Sequence, residues 1–321
     1  MLHTFCQLRE RGLSLLRAIP AVTSIEMIMK HLLFAASLVA FSSSALALAL
    51  APEAAWKADI ADTNKAYSVT PHAILKIQDA AYLGEGNSAS LVGRRGAPAS
   101  YKWTPGEQPG AVLVASFSGG KPVLRKDGHT LANPLADLAI DTGVDAQAYP
   151  TQVQAGVPGI RVFVWNQQNP AAKAFRGVDY FPYNPAFIVK ADFTPDPKMP
   201  AQRFITSRRT SKQFYRAGTA SFALQGRRFA LPFYTDSNDP NKITSLTAFF
   251  TDDLTGKGAY GAGRYVDSPN FKRFPPKSFA IDFNYAYNPN CARSAFFTCP
   301  VAVDRLAFAI AAGERDPHLH H

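Results

Sequence analysis

Ala111-Val112-Leu113-Val114-Ala115-Ser116-Phe117 ends at Ser118-Gly119-Gly120, and Lys121-Pro122-Val123-Leu124-Arg125 comes next and runs to Asp127-Gly128. Two short runs rich in aliphatic and aromatic residues, each closed by glycine-containing turn chemistry, read as consecutive strands. The same punctuation continues through residues 160–165 (before Asn166 to Pro170), 186–193, 219–224, 229–234, 246–250, 259–266 and 278–285. About ten strands with short turns predict a mainly β chain, with antiparallel sheets in a sandwich or barrel-like arrangement. Long helices do not alternate with the strands, which argues against an α/β nucleotide-binding fold. Ahead of the strands, residues 56–67 read as a short helix. Thr70-Pro71 followed by 72–83 and Gly84 reads as a second, with an N-cap, a proline at the first helical position and a glycine stop.

Residues 30–51 hold Lys30, an apolar stretch at 32–41, Ser42-Ser43-Ser44 and a small-residue run at 45–51. This is the pattern of a secretory signal peptide with A-x-A cleavage points. Its apolar core is short for a bilayer-spanning helix, no second run of that length follows, and no cysteine marks a lipid attachment site. Residues 29–51 are therefore expected to be a cleaved leader, with Met29 as the start and 1–28 as upstream sequence. The mature chain is expected to be periplasmic or secreted, without a transmembrane segment and without a nucleic-acid partner. The remaining residues, about 270, suffice for one large domain or two small ones. The proline-rich stretch 194–200 suggests a soft boundary between an N-terminal β region, 52–195, and a C-terminal one, 201–315, with a tail at 316–321.

Of the three cysteines, Cys6 falls in the upstream part. Cys291 and Cys299 in an exported chain are expected to form a local disulfide, stabilising by about 2–3 kcal/mol on the chain-entropy model. A redox pair or metal ligands are the functional alternatives; the spacing is not C-x-x-C and no histidine lies nearby in sequence. Neither a metal nor another cofactor is expected.

The densest run of motif lies in the last third: DLTGKGAYGAGRYVD (253–267), IDFNYAYNPNCARSAFFTCP (281–300) and AGER (312–315). In kind and order these elements resemble the bacterial family catalogued as domain of unknown function 1684. Upstream, Arg161-Val162-Phe163-Val164, Ala174-Phe175-Arg176-Gly177, Tyr180-Phe181-Pro182 and residues 186–193 resemble its middle block. The resemblance implies no established activity, so the residues are read on their own chemistry.

With side chains alternating along a strand, Phe279, Ile281, Phe283, Tyr285 and Tyr287 would line one face of 279–288 and Asp282, Asn284 and the small residues the other. Asp282 and Asn284 would then stand about 7 Å apart on the same side. Arg264, in Tyr260-Gly261-Ala262-Gly263-Arg264-Tyr265, is the expected partner of Asp282: either a buried structural bridge or half of a polar site, since guanidinium suits bidentate carboxylate or phosphate contact. Gly261 and Gly263 would share a strand face and admit close approach. Asp252-Asp253-Leu254-Thr255-Gly256 reads as a hairpin turn. The G-x-G-x-x-G match at 256–261 lacks the strand–loop–helix context that dinucleotide binding needs. His72 and His129, with no G-x-S-x-G, give little basis for nucleophilic catalysis, and His318, His320 and His321 read as a terminal tail. Asp253, Asp282 and Glu314 remain for acid–base chemistry.

Between Asp196 and Asp236 there is no acid, while Lys198, Arg203, Arg208, Arg209, Lys212, Arg216, Arg227 and Arg228 carry much of the chain's net charge of +10. Interleaved with aromatics, they suggest a surface for an anionic glycan, a lipid head group or another small anionic ligand. These features support three functional expectations. One is a binding or accessory protein for an anionic or polyhydroxylated envelope ligand, using Arg264, Asp282, Asn284, Tyr287, Arg208 and Arg209. The second is a metal-independent hydrolase or lyase with Asp282, Arg264 and Asp253 as catalytic candidates. The third is a module that docks another protein through the Cys291 to Cys299 loop, with Phe296 and Phe297.

Overall fold

A computed structural model describes residues 52–318; the expected leader and the last three residues of the tail lie outside the described residues. Helix α1 (Pro52–Ser68) is followed by a 3-10 turn at Ile74–Lys76 and nine strands: β1 (Ile77–Leu83), β2 (Ser88–Arg94), β3 (Ala97–Pro105), β4 (Leu113–Ser118), β5 (Lys121–Lys126), β6 (His129–Thr130), β7 (Leu138–Asp141), β8 (Val144–Gln154) and β9 (Val157–Asn166). They form a four-stranded sheet, β1-β9-β8-β7, and a five-stranded one, β3-β2-β4-β5-β6. Leu83, Leu91, Tyr101, Leu113, Leu124, Val162 and Val164 pack between them. After a short helix, α2 (Pro170–Ala174), come β10 (Ile188–Pro195), β11 (Ala201–Ile205), β12 (Ser211–Leu224), β13 (Arg227–Thr235), β14 (Thr247–Thr251), β15 (Arg264–Asp267), β16 (Ser278–Asp282) and β17 (Asp304–Arg305). These build an eight-stranded sheet in the order β15-β14-β13-β12-β10-β16, with β11 on β12 and β17 on β14. Every pairing between named strands is antiparallel except β14 with β17. The chain is mainly β, as the punctuated runs predict.

Two local expectations are corrected. Residues 72–83 are not a second helix: Ile77 to Leu83 pair with Trp165 to Ile160 of β9, and the pairing that completes the sheet overrides local cap chemistry. Residues 260–263 are not strand. Tyr260 and Gly263 close a turn through the Gly263 N–H to Tyr260 carbonyl bond, 3.0 Å, so the two glycines share no strand face. The proline-rich stretch 194–200 leads from β10 into β11. β10 pairs with both β12 and β16, so the proline-rich stretch is a connection inside the large sheet.

Strand β9 joins the two halves of the molecule. Ile160, Val162 and Val164 face the N-terminal core, while Phe163 and Trp165 face outward into a second cluster with Tyr67, Ile74, Ile77, Phe297 and Cys299. Alternation places Arg161 on this second face, under cover from the C-terminal half. Phe297 reaches Phe163 with ring centroids 5.3 Å apart, and the Tyr82 hydroxyl donates to the Phe296 carbonyl at 2.8 Å. The other seam is polar: Gln152 exchanges two bonds with the Gln213 backbone, 2.9 and 2.8 Å. The halves are thus held by an aromatic layer on one side and paired amides on the other.

Candidate functional site

Arg264 is the hub of the C-terminal motif, and its partner is Asp252 rather than Asp282. Its Nη2 donates to Asp252 Oδ2 at 2.8 Å and to the Ile310 carbonyl at 2.8 Å. Its Nη1 donates to the Ala312 and Glu314 carbonyls. Arg264 and Asp252 side chains are 1% and 0% exposed. Asp252 also accepts from the Ile310 N–H, 3.0 Å, and from the Leu254 N–H and Thr255 hydroxyl of its own turn, 3.2 and 2.9 Å. Burial lowers the guanidinium's affinity for its proton and the Asp252 charge opposes that. A cation enclosed by one carboxylate and three carbonyls is committed to the fold, so this arrangement is a strut. Glu314 joins it: it is buried, accepts from the Asn288 N–H at 3.1 Å and lies 3.6 Å from Arg293.

Asp282 ends β16, and the chain turns at once into a 3-10 helix, Phe283–Tyr285, so alternation stops there. The Asp282 carboxylate caps that turn by accepting from the Asn284 N–H and side-chain amide, both 2.9 Å. Burial raises the carboxyl's pKa, and those two bonds oppose it. Asn284 is fully buried and bonded to the Asn184 backbone and to Trp56 Nε1 of α1. Tyr287 pairs with Tyr265 through backbone bonds, and its hydroxyl reaches Asp267 at 3.2 Å. Asp253, next to the hub in sequence, points the other way and forms an exposed pair with Arg305 at 2.6 Å. The structure therefore does not bring Arg264, Asp282, Asn284 and Tyr287 to one opening.

A different group of side chains converges around the two cysteines. Cys291 and Cys299 are free thiols, within hydrogen-bonding reach of each other. Cys291 is half-buried and Cys299 is buried. Ser207 and Tyr260 also hydrogen-bond Cys291. The Cys291 thiol is drawn down to about 7, first by the bond from Cys299, then against burial by Ser207 and Tyr260. Burial pushes the Cys299 thiol well up, while the Lys212 charge pulls it down. Lys212, also buried, is lowered to about 8 by desolvation and then by the charge of Arg161. Arg161 lies over the rings of Tyr149, Phe163 and Phe297 at 5.1 to 5.7 Å; burial lowers its pKa, and Tyr82, Tyr149 and Cys299 act in the opposite sense. Two cations therefore stand behind a thiol pair, an electropositive setting for sulfur. The sequence signal for Arg161 is a single charge within an apolar run buried on both faces; Lys212 carried no comparable signal.

The basic segment does not make one surface. Arg208 and Arg209 sit in the β11–β12 turn and Arg227 and Arg228 at the opposite end of β12, exposed in both cases. A 14-residue strand separates them by roughly 40 Å at about 3.3 Å per residue. The first turn is the better built. Arg209 takes a left-handed conformation (φ 59°), the Ser207 N–H donates to the Cys299 carbonyl at 2.9 Å, and Arg208 lies over the Tyr82 ring at 5.7 Å. Phe296 and Phe297 pack against the chain's own N-terminal sheet. Among the described residues, no helix is long and apolar enough to cross a membrane, and no group of three or more His, Cys, Asp or Glu is placed to hold a metal ion.

The fold and the buried hub define an antiparallel β protein whose C-terminal sheet is tied by its own sequence motif. Residues 173–315 match the model of the family described as Protein of unknown function (DUF1684), the family the motifs resemble. That segment takes in the eight-stranded sheet and the Arg264 hub, and begins after β9. No curated protein matches the chain. Among solved structures, a solution NMR structure of an uncharacterized protein of Haloarcula marismortui is 29% identical, over 46% of this chain and 80% of that one, with a TM-score of 0.38.

Proposed function

We infer that this is an exported, periplasmic or secreted binding or accessory protein, and that it holds an anionic glycan, lipid head group or small anionic ligand at the β11–β12 turn. The observation that carries this reading is the presentation of Arg208 and Arg209. Both are exposed, on a turn anchored to the Cys299 segment and braced on Tyr82 of the N-terminal sheet. A fixed backbone lowers the ordering cost of a guanidinium contact, and two adjacent guanidiniums suit phosphate, sulfate or uronate oxygens. The leader-like residues 30–51 support the compartment.

The test is retention of the purified protein on immobilised sulfated glycan and on vesicles containing anionic lipid, across a salt series. Arg208→Glu with Arg209→Glu is expected to abolish retention at moderate salt, whereas Arg227→Glu with Arg228→Glu leaves most of it. Equal loss from both double variants would reduce the effect to net charge. Unchanged retention in the first would remove the turn as the site.

A further inference from the structure

We propose that Cys291 and Cys299 form a thiol–disulfide exchange site, in which Cys291 is the attacking thiol and Cys299 the resolving one, acting on a disulfide-bearing small molecule or exposed protein disulfide. This is independent of the ligand reading above.

The geometry assigns the roles. The two sulfurs are within hydrogen-bonding reach, so the pair is placed for a bond between them. Cys291 is half-buried at the 3-10 turn Asn290–Ala292. Cys299 is 5% exposed, so a partner sulfur reaches it only through Cys291. The Ser207 and Tyr260 hydroxyls are placed to donate to the Cys291 sulfur. Charges facing the pair come from every element packed on it: Lys212 from β12 and Arg161 from β9 as cations, and phenols Tyr82, Tyr260 and Tyr265. Asp316 stands near Tyr260. Lys212 and Arg161 favour the thiolate of Cys299, while the Cys291 thiolate is favoured by its hydrogen bonds. The Cys299 segment is held during the change by the Ser207 N–H to Cys299 carbonyl bond at 2.9 Å and by the Val301 N–H to Ile205 carbonyl bond at 2.9 Å.

The chemistry balances without a metal or an oxygen species. The Cys291 thiolate attacks one sulfur of R–S–S–R; the external S–S bond breaks, a Cys291–S–S–R bond forms, and R–S⁻ leaves to take up the proton Cys291 gave up. Cys299 then loses its proton and attacks Cys291 Sγ; the mixed disulfide breaks, the internal Cys291–Cys299 bond forms, and the second R–S⁻ leaves and is protonated. The dithiol is oxidised by two electrons and the external disulfide is reduced to two thiols. The reverse sequence reduces the internal bond at the expense of an external dithiol.

The experiment uses the full chain in a Cys6→Ser background, reduced and then exposed to glutathione disulfide, with products trapped by acid and mapped by peptide mass. The wild-type pair is expected to pass to the internal disulfide with release of two glutathiones. Cys299→Ser is expected to accumulate a glutathione adduct on Cys291, and Cys291→Ser to lose both adduct and internal disulfide while folded. Because either variant can disturb packing, a time course on the unmutated pair supplies a second readout: adduct on Cys291 must precede the internal bond. First adduct on Cys299, a mixed disulfide that never resolves, or an internal bond that excess glutathione fails to open under native conditions would each overturn the proposal; the last would leave a purely structural disulfide.

Discussion

Arg264→Ala is expected to remove most of this protein's stability margin rather than to abolish a ligand contact. The guanidinium is 1% exposed and its carboxylate partner 0%, so removing the cation strands a buried charge, which typically costs about 3–5 kcal/mol. The Ala312, Ile310 and Glu314 carbonyls lose a donor at the same time, which puts the loss at the upper end of that range. Set against a total of about 5–15 kcal/mol, such a loss leaves a marginal fold. At about 2–4 °C per kcal/mol for a chain of this size, the Tm should fall by roughly 10–20 °C. The assay is thermal and urea unfolding followed by circular dichroism and tryptophan fluorescence. Asp253→Ala, which breaks only the exposed pair with Arg305, serves as the control and should change stability by about 1 kcal/mol or less. The double variant Arg264→Met with Asp252→Leu should lie closer to wild type than either single change, because no charge is left unpaired. An Arg264→Ala protein that keeps its stability within about 1 kcal/mol while losing ligand retention would refute the strut and restore Arg264 to a binding site.

Gly263→Ala should be strongly destabilising and Gly261→Ala nearly silent. A Cβ at Gly263 (φ +87°) would meet Ala302 Cβ at 2.4 Å and the Phe250 carbonyl at 2.7 Å, whereas at Gly261 nothing lies within 4 Å. The backbone penalty alone is about 1–2 kcal/mol, and equal midpoints in urea would contradict it. Lys212 gives a pH signature. Its folded-state pKa, about 8, lies below the ordinary 10.5, so the unfolded chain binds more protons between those values and stability rises as pH climbs through that window. The effect, up to about 3 kcal/mol, should vanish in Lys212→Met; a Tm difference between the two proteins that stays flat from pH 7 to 10 would count against a buried ammonium. Trp56→Ala should cost about 3–5 kcal/mol and expose α1 to limited proteolysis, since Trp56 bonds the Asn284 carbonyl at 2.9 Å and packs on Tyr180 and Tyr183. Undiminished protection of α1 would show that the helix is held elsewhere.

Local chemistry was enough to read the mainly β class, the first helix and the C-terminal motif. A turn such as Ser118-Gly119-Gly120 between two apolar runs works over a few residues and needs no distant partner. The pairing of Arg264 was not legible in the same way. Asp252 and Asp282 are equally suitable by residue type, and the choice depends on β14 and β15 lying side by side while Asp282 faces its own 3-10 turn. The two glycines of Gly261-Ala262-Gly263 look equivalent on paper, yet only Gly263 meets Ala302, a neighbour supplied by chain far downstream. Likewise Thr70-Pro71 offer a credible helix cap ahead of residues 72–83, and it is β9 that makes Ile77 to Leu83 a strand. Cys291 and Cys299 could be picked out as a pair from their number and spacing, but the cations behind them come from β9 and β12, on opposite sides of the seam. Short-range propensity and turn geometry are written into the sequence residue by residue; which charges share a buried volume is decided only when separate sheets close over one another.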